Sequence, residues 1–345
     1  MDFSEIMLYW YKTHHRELPW RKTHDPYHIW VSEIILQQTR VMRGVDYYVN
    51  FIAHFPTLSS LAQASEQEVL KAWEGLGYYS RARNLHFTAR EIYKQRGEVF
   101  PQRYQELIQL NGIGTYTAAA IASICFKEPI PAIDGNAYRV LARHFGLYDD
   151  IHIAKTKKKF IVLGHQIIHR DAPGDFNQAV MELGSTLCTP KQAQCSQCPV
   201  NYTCFALQHK AVYQLPVKMK KIKVKQRFFY YLIVSSDQGV WLQRRTHTDI
   251  WKGLYEFPLI HVTQALSAAE VQEALYNEFG ILSTLIHQSV HKLTHQSLQI
   301  EFWKGQIQKI SKNKLGKFEL IPLDALDRYP FPRPITLFLE SEKMI

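Results

Sequence analysis

Three groups of residues in this chain have the types and spacing that chemistry requires. Glu33 lies in Ile29-Trp30-Val31-Ser32-Glu33-Ile34-Ile35-Leu36, and on a helix it shares a face with Ile29, Trp30 and Leu36. A carboxylate on an apolar stripe is costly unless partnered, and desolvation raises its pKa, which suits a general acid near neutral pH. The plainer reading is a boundary glutamate with its head in water. Asp134 follows Pro129 and Pro131 and precedes a helical stretch containing Val140 and Leu141, so it reads as an N-cap. A capping aspartate is held rigidly, as a charge-stabilising carboxylate must be. Cys188, Cys195, Cys198 and Cys204 leave gaps of six, two and five residues, and four thiolates this close can wrap one compact centre. Tetrahedral zinc usually draws on two separated Cys-x-x-Cys pairs and only one is present, so zinc, an iron–sulfur cluster and disulfides all stay open on spacing alone. Cys125, inside an apolar helical run, reads as a buried small hydrophobe.

These residues need elements to position them. Up to about residue 205 the pattern is helical, with apolar residues at three- and four-residue intervals in 66–73, 104–110 and 115–125. Between two of those stretches, Leu110-Asn111-Gly112-Ile113-Gly114 provides a tight turn that leaves the next helix's first N–H groups free for an anion, although a plain interhelical turn has the same look. From Phe228 the texture becomes β-rich. Residues 228–234 and 298–303 read as strands, 240–245 could pair back as a hairpin, and Ser267 with Glu270 forms a capping box ahead of a helix. Between the halves, 218–227 carries Lys218, Lys220, Lys221, Lys223, Lys225 and Arg227 without an acidic residue, which suits a solvated linker or one that also touches phosphate. With 345 residues there is room for two cores, and 41 Lys+Arg against 31 Asp+Glu favour a polyanionic partner. No apolar run approaches the roughly eighteen residues of a membrane span, and the opening Met1-Asp2-Phe3-Ser4-Glu5 has no secretion signal, so a cytoplasmic location is expected.

The cysteine spacing resembles the 4Fe-4S loop of the endonuclease III superfamily of DNA glycosylases. Gly112 and Gly114, with Asp134 twenty residues beyond the latter, resemble that superfamily's helix-hairpin-helix and its following aspartate. Asn111 stands where the family usually has proline, but a phosphate grip built on backbone N–H groups does not need the proline. Tyr116 occupies the position of the Schiff-base lysine found in relatives that also cut the DNA backbone, so the amine nucleophile is missing. Asp134-Gly135-Asn136, Leu36-Gln37-Gln38-Thr39 and Gly75-Leu76-Gly77-Tyr78-Tyr79-Ser80-Arg81-Ala82-Arg83-Asn84 are similar to blocks of the MutY branch; Trp20-Arg21, Phe176-Asn177-Gln178 and Glu182 agree. This resemblance spans nearly all of the first 205 residues. It implies a 4Fe-4S cluster on Cys188, Cys195, Cys198 and Cys204, and a monomer acting on duplex DNA with 8-oxoguanine:adenine or guanine:adenine mispairs. The implied activity is removal of the adenine, monofunctional or with weak lyase activity. Cleaving the N-glycosidic bond leaves an oxocarbenium-like sugar and a poor leaving group. By the resemblance, Glu33 protonates the adenine and Asp134 stabilises the cation or forms a transient adduct, with Tyr116 and Asn136 in support. Trp20, Arg21, Gln38, Thr39, Leu76, Arg81, Gly112, Gly114 and Glu182 are then DNA-binding, with Tyr78 as a wedge beside the 8-oxoguanine.

In the second half, Gly253-Leu254-Tyr255-Glu256-Phe257-Pro258 resembles the opening of a Nudix domain. The following helix, Glu270-Val271-Gln272-Glu273-Ala274-Leu275-Tyr276-Asn277-Glu278-Phe279-Gly280, lacks the family's acidic cluster, so metal-dependent hydrolysis is not expected. A Nudix-like fold without its metal site is what the MutY branch uses to find 8-oxoguanine. Its recognition loop typically reads Phe-Ser-His; here Leu293-Thr294-His295 keeps a hydroxyl and the imidazole but not the aromatic ring. The expected fold is therefore multidomain. An all-α helix-hairpin-helix glycosylase (1–205, hairpin 104–125, iron–sulfur loop 188–204) and a basic linker (206–227) precede an α+β Nudix-like domain (228–345). Two alternatives compete. An endonuclease III-like glycosylase/lyase is opposed by Tyr116 and the second domain, and a catalytically silent damage-binding protein is opposed by intact Glu33 and Asp134.

Overall fold

The computed structural model describes residues 2–219, 224–305 and 317–345; Lys220, Lys221 and Lys223 of the expected linker lie outside the described residues. By its internal contacts the chain falls into two units, Met1–Gln63 with Asn84–Lys220 and Ala64–Arg83 with Lys221–Ile345. Contiguous halves at 1–205 and 228–345 do not provide for Ala64–Arg83. The reason is packing and hydrogen bonding: Gly253 (φ +87) sits so close to helix Glu66–Ala72 that an added Cβ would lie 2.9 Å from Leu70 Cδ1. Gln67 Nε2 also donates to the Arg328 carbonyl at 3.1 Å, and Thr336 Oγ1 donates to Glu74 Oε1 at 2.7 Å.

The described residues of the first unit form helices and turns, with no strand. At its centre lies Thr115–Phe126, buried at every position from Thr117 to Ile124. Alanines at 118–120 let neighbours approach, and helices Pro26–Leu36 and Pro173–Thr186 both pack against it. At Gly174 the approach is so close that a Cβ would lie 2.8 Å from the Ile124 Cα, so only glycine fits. Helix Pro173–Thr186 also packs on Phe3–His14 and Gly135–Phe145, around a core that includes Met7, Trp10, Val140, Phe176 and Leu183. The stretch expected to be helical at 104–110 stops at Leu107 as a single turn, and Thr115–Phe126 follows.

The second unit is α+β. Its strands are β1 (Lys225–Ile233), β2 (Ser235–Ser236), β3 (Gly239–Arg244), β4 (Tyr255–Glu256), β5 (Leu259–Val262), β6 (Ser283–Lys292), β7 (Gln296–Gly305) and β8 (Glu319–Ile321). One sheet has the order β5-β1-β7-β6, with β1 parallel to β7 from Lys225↔Gln296 to Ile233↔Lys304; the other joins β2, β3, β4 and β8. β1 is central and buried on both faces, which explains its unbroken apolar run. Tyr230, Leu232 and Val234 pack towards Val271, Leu275 and Phe279 of helix Ala268–Phe279, whose capping box at Ser267 forms as expected. On the other face Phe302 stacks on Phe338 of helix Arg333–Ser341, with ring centres 4.1 Å apart. The hairpin expected between 228–234 and 240–245 is a correction: β3 crosses into the second sheet and pairs with β2, β4 and β8, leaving one bond from Trp241 N to Val234 O. Close approach at Gly239, where a Cβ would lie 2.2 Å from the Ile321 carbonyl oxygen, ties β3 to β8 instead.

Candidate active site

The first unit holds a cavity of about 540 Å³ lined by Glu33, Tyr116, Asp134, Asn136, Glu182 and Arg21 among others. Glu33 reaches it from the middle of Pro26–Leu36, where it is only 7% exposed beside the buried Ile29 and Trp30. Tyr116, the second residue of Thr115–Phe126, donates its hydroxyl to Glu33 Oε2 at 2.6 Å and also lies 3.0 Å from Met181 Sδ. Burial pushes the Glu33 carboxyl up to about 7; the nearby Asp134 charge adds to the shift, while the Tyr116 bond and Arg21 oppose it. An acid of that strength is protonated in a large fraction of molecules at neutral pH and can donate.

Asp134 caps Gly135–Phe145 as its sequence position predicts. Oδ1 accepts the Ala137 N–H and Oδ2 accepts Asn136 Nδ2, both at 2.7 Å. Burial pushes this carboxyl up from its ordinary value, and those N–H donors oppose the shift. One donor on each oxygen is an arrangement that suits an ionised carboxylate. Asn136 is fixed in turn by Arg139, whose Nη2 donates to Asn136 Oδ1 at 2.8 Å and to the Gly184 carbonyl at 2.7 Å. Gly184 belongs there because a Cβ would lie 2.7 Å from that of Asn136.

Glu182 is a buried carboxylate of the opposite kind. Burial would raise its pKa, but Arg16 and Arg21 outweigh that and hold it at about 2. Arg16 Nε lies 2.6 Å from Oε1 and Arg21 Nη2 2.7 Å from Oε2, so Glu182 stays ionised while fixing two guanidinium groups. Trp20 is almost fully buried and lines the cavity with Arg21, Gln38 and Thr39; Gln38 is exposed with φ +60. In the hairpin, Gly112 needs its φ of +73 and its small size, since a Cβ would lie 2.6 Å from that of Asn84. Gly114 has ordinary backbone angles but open space before it, and it starts Thr115–Phe126 without a side-chain cap, leaving N–H groups for an anion. Cys125 is half-buried rather than fully buried at the end of that helix, and burial pushes its thiol up to about 12.

Cys188, Cys195, Cys198 and Cys204 are free thiols lining one small cavity with Arg143, whose Nη1 lies 3.3 Å from Cys188 Sγ. Among the described residues, no group of three or more His, Cys, Asp or Glu side chains is drawn into metal-holding positions. No described helix is long and apolar enough to cross a membrane.

A cavity of about 440 Å³ in the second unit gathers Leu76, Tyr78, Leu293, Thr294 and His295. Thr294 and His295 are exposed at the tip of the β6–β7 hairpin, and the Tyr78 hydroxyl bonds to Thr294 Oγ1. Arg81 lies over the Trp73 ring at 5.3 Å and the Tyr78 ring at 5.7 Å, and burial lowers its pKa to about 10. Arg227, counted with the basic linker, instead forms a bidentate pair with Asp249. Arg16, Arg139 and Met181 were not found from sequence. Arg139 had a signal, since it lies three residues after Asn136 on the same helix, whereas Arg16 meets Glu182 across 166 residues and left none.

A helical unit with a turn before a buried helix, a capping aspartate and a buried acid, followed by an α+β unit, defines a class. Residues 31–164 match the HhH-GPD superfamily base excision DNA repair proteins, and 229–341 match the NUDIX domain. Among solved structures, a thermostable thymine-DNA glycosylase superposes with a TM-score of 0.55 at 26% identity, covering 60% of this chain and 95% of that one. Endonuclease III in a non-covalent DNA complex shares the fold, with a TM-score of 0.51 at 20% identity over 60% and 94% of the two chains.

The adenine DNA glycosylase of Buchnera aphidicola subsp. Acyrthosiphon pisum is 32% identical over 99% of this chain and 97% of its own length. That of Buchnera aphidicola subsp. Schizaphis graminum is 37% identical over 74% of each. The human adenine DNA glycosylase is 43% identical over 60% of this chain and 39% of its own. The chain belongs to the adenine DNA glycosylase family, enzymes that hydrolyse N-glycosyl bonds.

Proposed function

We infer that this protein removes adenine mispaired with 8-oxoguanine or guanine in duplex DNA, by acid-assisted cleavage of the N-glycosidic bond. The observation that carries this reading is the pairing in one cavity of Glu33, raised to about 7, with the doubly hydrogen-bonded Asp134. Glu33 donates its proton to the departing adenine, and Asp134 faces the positive charge that grows on the sugar. Tyr116 and Asn136 hold these two groups. Tyr116 also stands where a lyase would need an amine, so the reaction ends at the free base. The extruded adenine enters the cavity lined by Trp20, Arg21 and Glu182, with Gln38 and Thr39 at its edge. Gly112 and Gly114 offer backbone N–H groups to a phosphate. In the second unit Tyr78, Leu76 and Arg81 serve the base opposite, and Leu293, Thr294 and His295 read it by the hydroxyl and the imidazole.

Four free thiols around one cavity suit a 4Fe-4S cluster, which Cys188, Cys195, Cys198 and Cys204 would hold. Bound there, such a cluster would cross-link and shape the loop. Protein purified anaerobically is expected to contain iron, and stoichiometric zinc without iron would overturn this assignment. The reading as a whole is tested by single-turnover adenine release from duplexes that differ only in the base opposite adenine. Release is expected opposite 8-oxoguanine and guanine and not opposite thymine, and no release from any of them would sink it.

A further inference from the structure

The exposed tip Leu293-Thr294-His295 is tied by its backbone at two points. Leu293 N donates to the Gln296 carbonyl at 2.8 Å, and Lys225 N donates to the His295 carbonyl at 3.0 Å. A third tie runs through side chains. Arg227 Nη1 donates to Gln296 Oε1 at 3.1 Å, and the same guanidinium is clamped by Asp249, with Nη1–Oδ1 at 3.0 Å and Nη2–Oδ2 at 2.7 Å. Its flat face lies 4.9 Å from the centre of the Phe229 ring, so the fork has little freedom left. Asp249 is itself braced by Arg245, whose Nη2 lies 3.4 Å from Oδ2 and whose Nη1 bonds the buried Glu256. Asp249 and Gln296 line the same cavity as Tyr78 and Thr294. Apart from these ties and the bond of Thr294 to Tyr78, the tip is a three-residue hairpin loop, the kind of segment that would sample several conformations unaided.

We propose that Asp249 and Arg227 are positioning residues for opposite-base discrimination, holding the Leu293–His295 tip through Gln296 in the geometry that 8-oxoguanine requires. This rests on the opposite-base reading given above. Asp249 acts by orienting Arg227. Its removal should therefore lower discrimination without touching the chemistry of the first unit.

The test is D249N, with D249E as the conservative variant, scored by single-turnover excision from 8-oxoguanine:adenine and guanine:adenine duplexes. D249N is expected to reduce the rate ratio about tenfold, the effect of one charge-assisted hydrogen bond, with the guanine:adenine rate within about twofold of wild type. D249E, which can still clamp Arg227, should keep most of the ratio. An unchanged ratio in D249N overturns the proposal, and so does an equal fall on both duplexes, which marks general loosening of the fold. Should D249N fail to fold, R227K keeps the charge and loses the fork, and the same two outcomes apply to it. A wild-type protein that excises equally opposite either base overturns the opposite-base reading and the positioning role together.

Discussion

The two cavities treat their carboxyl groups in opposite ways. In the first unit Glu33 accepts the Tyr116 hydroxyl, no cation among the described residues is hydrogen-bonded to it, and its carboxyl sits at about 7. In the second, Asp249 is clamped by Arg227, whose hydrogen bonds outweigh the effect of burial and hold the carboxyl below its ordinary value. A buried carboxyl with no cation bonded to it can hold a proton near neutral pH. A group that holds a loop must never change charge, so it is paired. The contrast also appears within the first cavity, where Glu182, held at about 2 by two arginines, is a fixture beside an acid.

Four experiments can break or sharpen that contrast. The largest effect is expected for Glu33→Gln, which should lower single-turnover adenine release roughly a thousandfold while DNA affinity stays near wild type. Retained turnover would remove Glu33 from the acid role. The same variant reports on stability. Folded Glu33 holds its proton up to about 7 against an ordinary 4.5, so its contribution is complete below about 4.5 and is lost as pH rises through about 7. E33Q should therefore gain on wild type in thermal melts between pH 5 and pH 8, by on the order of 3 kcal/mol at most. Next, Thr294→Ala with His295→Ala is expected to reduce excision from 8-oxoguanine:adenine about tenfold more than from guanine:adenine. Equal losses would make the tip a structural turn and nothing more. Tyr116→Phe removes a bond that lowers the Glu33 pKa, so the alkaline fall of the pH–rate profile should move to higher pH. A shift the other way would mean that Tyr116 supplies the proton. The smallest effect belongs to Ser267→Ala, which breaks the capping box of Ala268–Phe279 and should cost about 1 kcal/mol in chemical denaturation, with no change in excision.

Much of the first site was legible because its residues announce themselves locally. Helical periodicity puts the glutamate within 29–36 on a face with apolar residues, and an aspartate after two prolines and before Gly135 is a favoured cap. Partners supplied by distant segments were not legible. Arg16 meets Glu182 and Met181 meets Tyr116 only because the segment after Phe3–His14 and helix Thr115–Phe126 both converge on Pro173–Thr186, and no spacing in the chain encodes that. Strand partners failed for the same reason. The alternation in 228–234 and 240–245 is real, but pairing is decided by the close approach at Gly239 and by the parallel partner β7, more than sixty residues further along. The grouping of Ala64–Arg83 with the second unit was also hidden, since its helix has the same apolar periodicity as its neighbours on either side.

That grouping sets an order of events during synthesis. Glu74 and Thr336, which bond in the finished protein, are 262 residues apart, and Leu70 is fully buried there. At about 5–20 residues per second a ribosome takes roughly ten to fifty seconds to cover that interval. Until then the segment carrying Tyr78 exists without the surface that seats it, and a nascent chain is already emerging as helices around Glu33. The first unit's cavity can thus take shape before the cavity that gathers Tyr78 and Thr294. A chain arrested midway would carry Glu33 with the second unit's cavity unassembled.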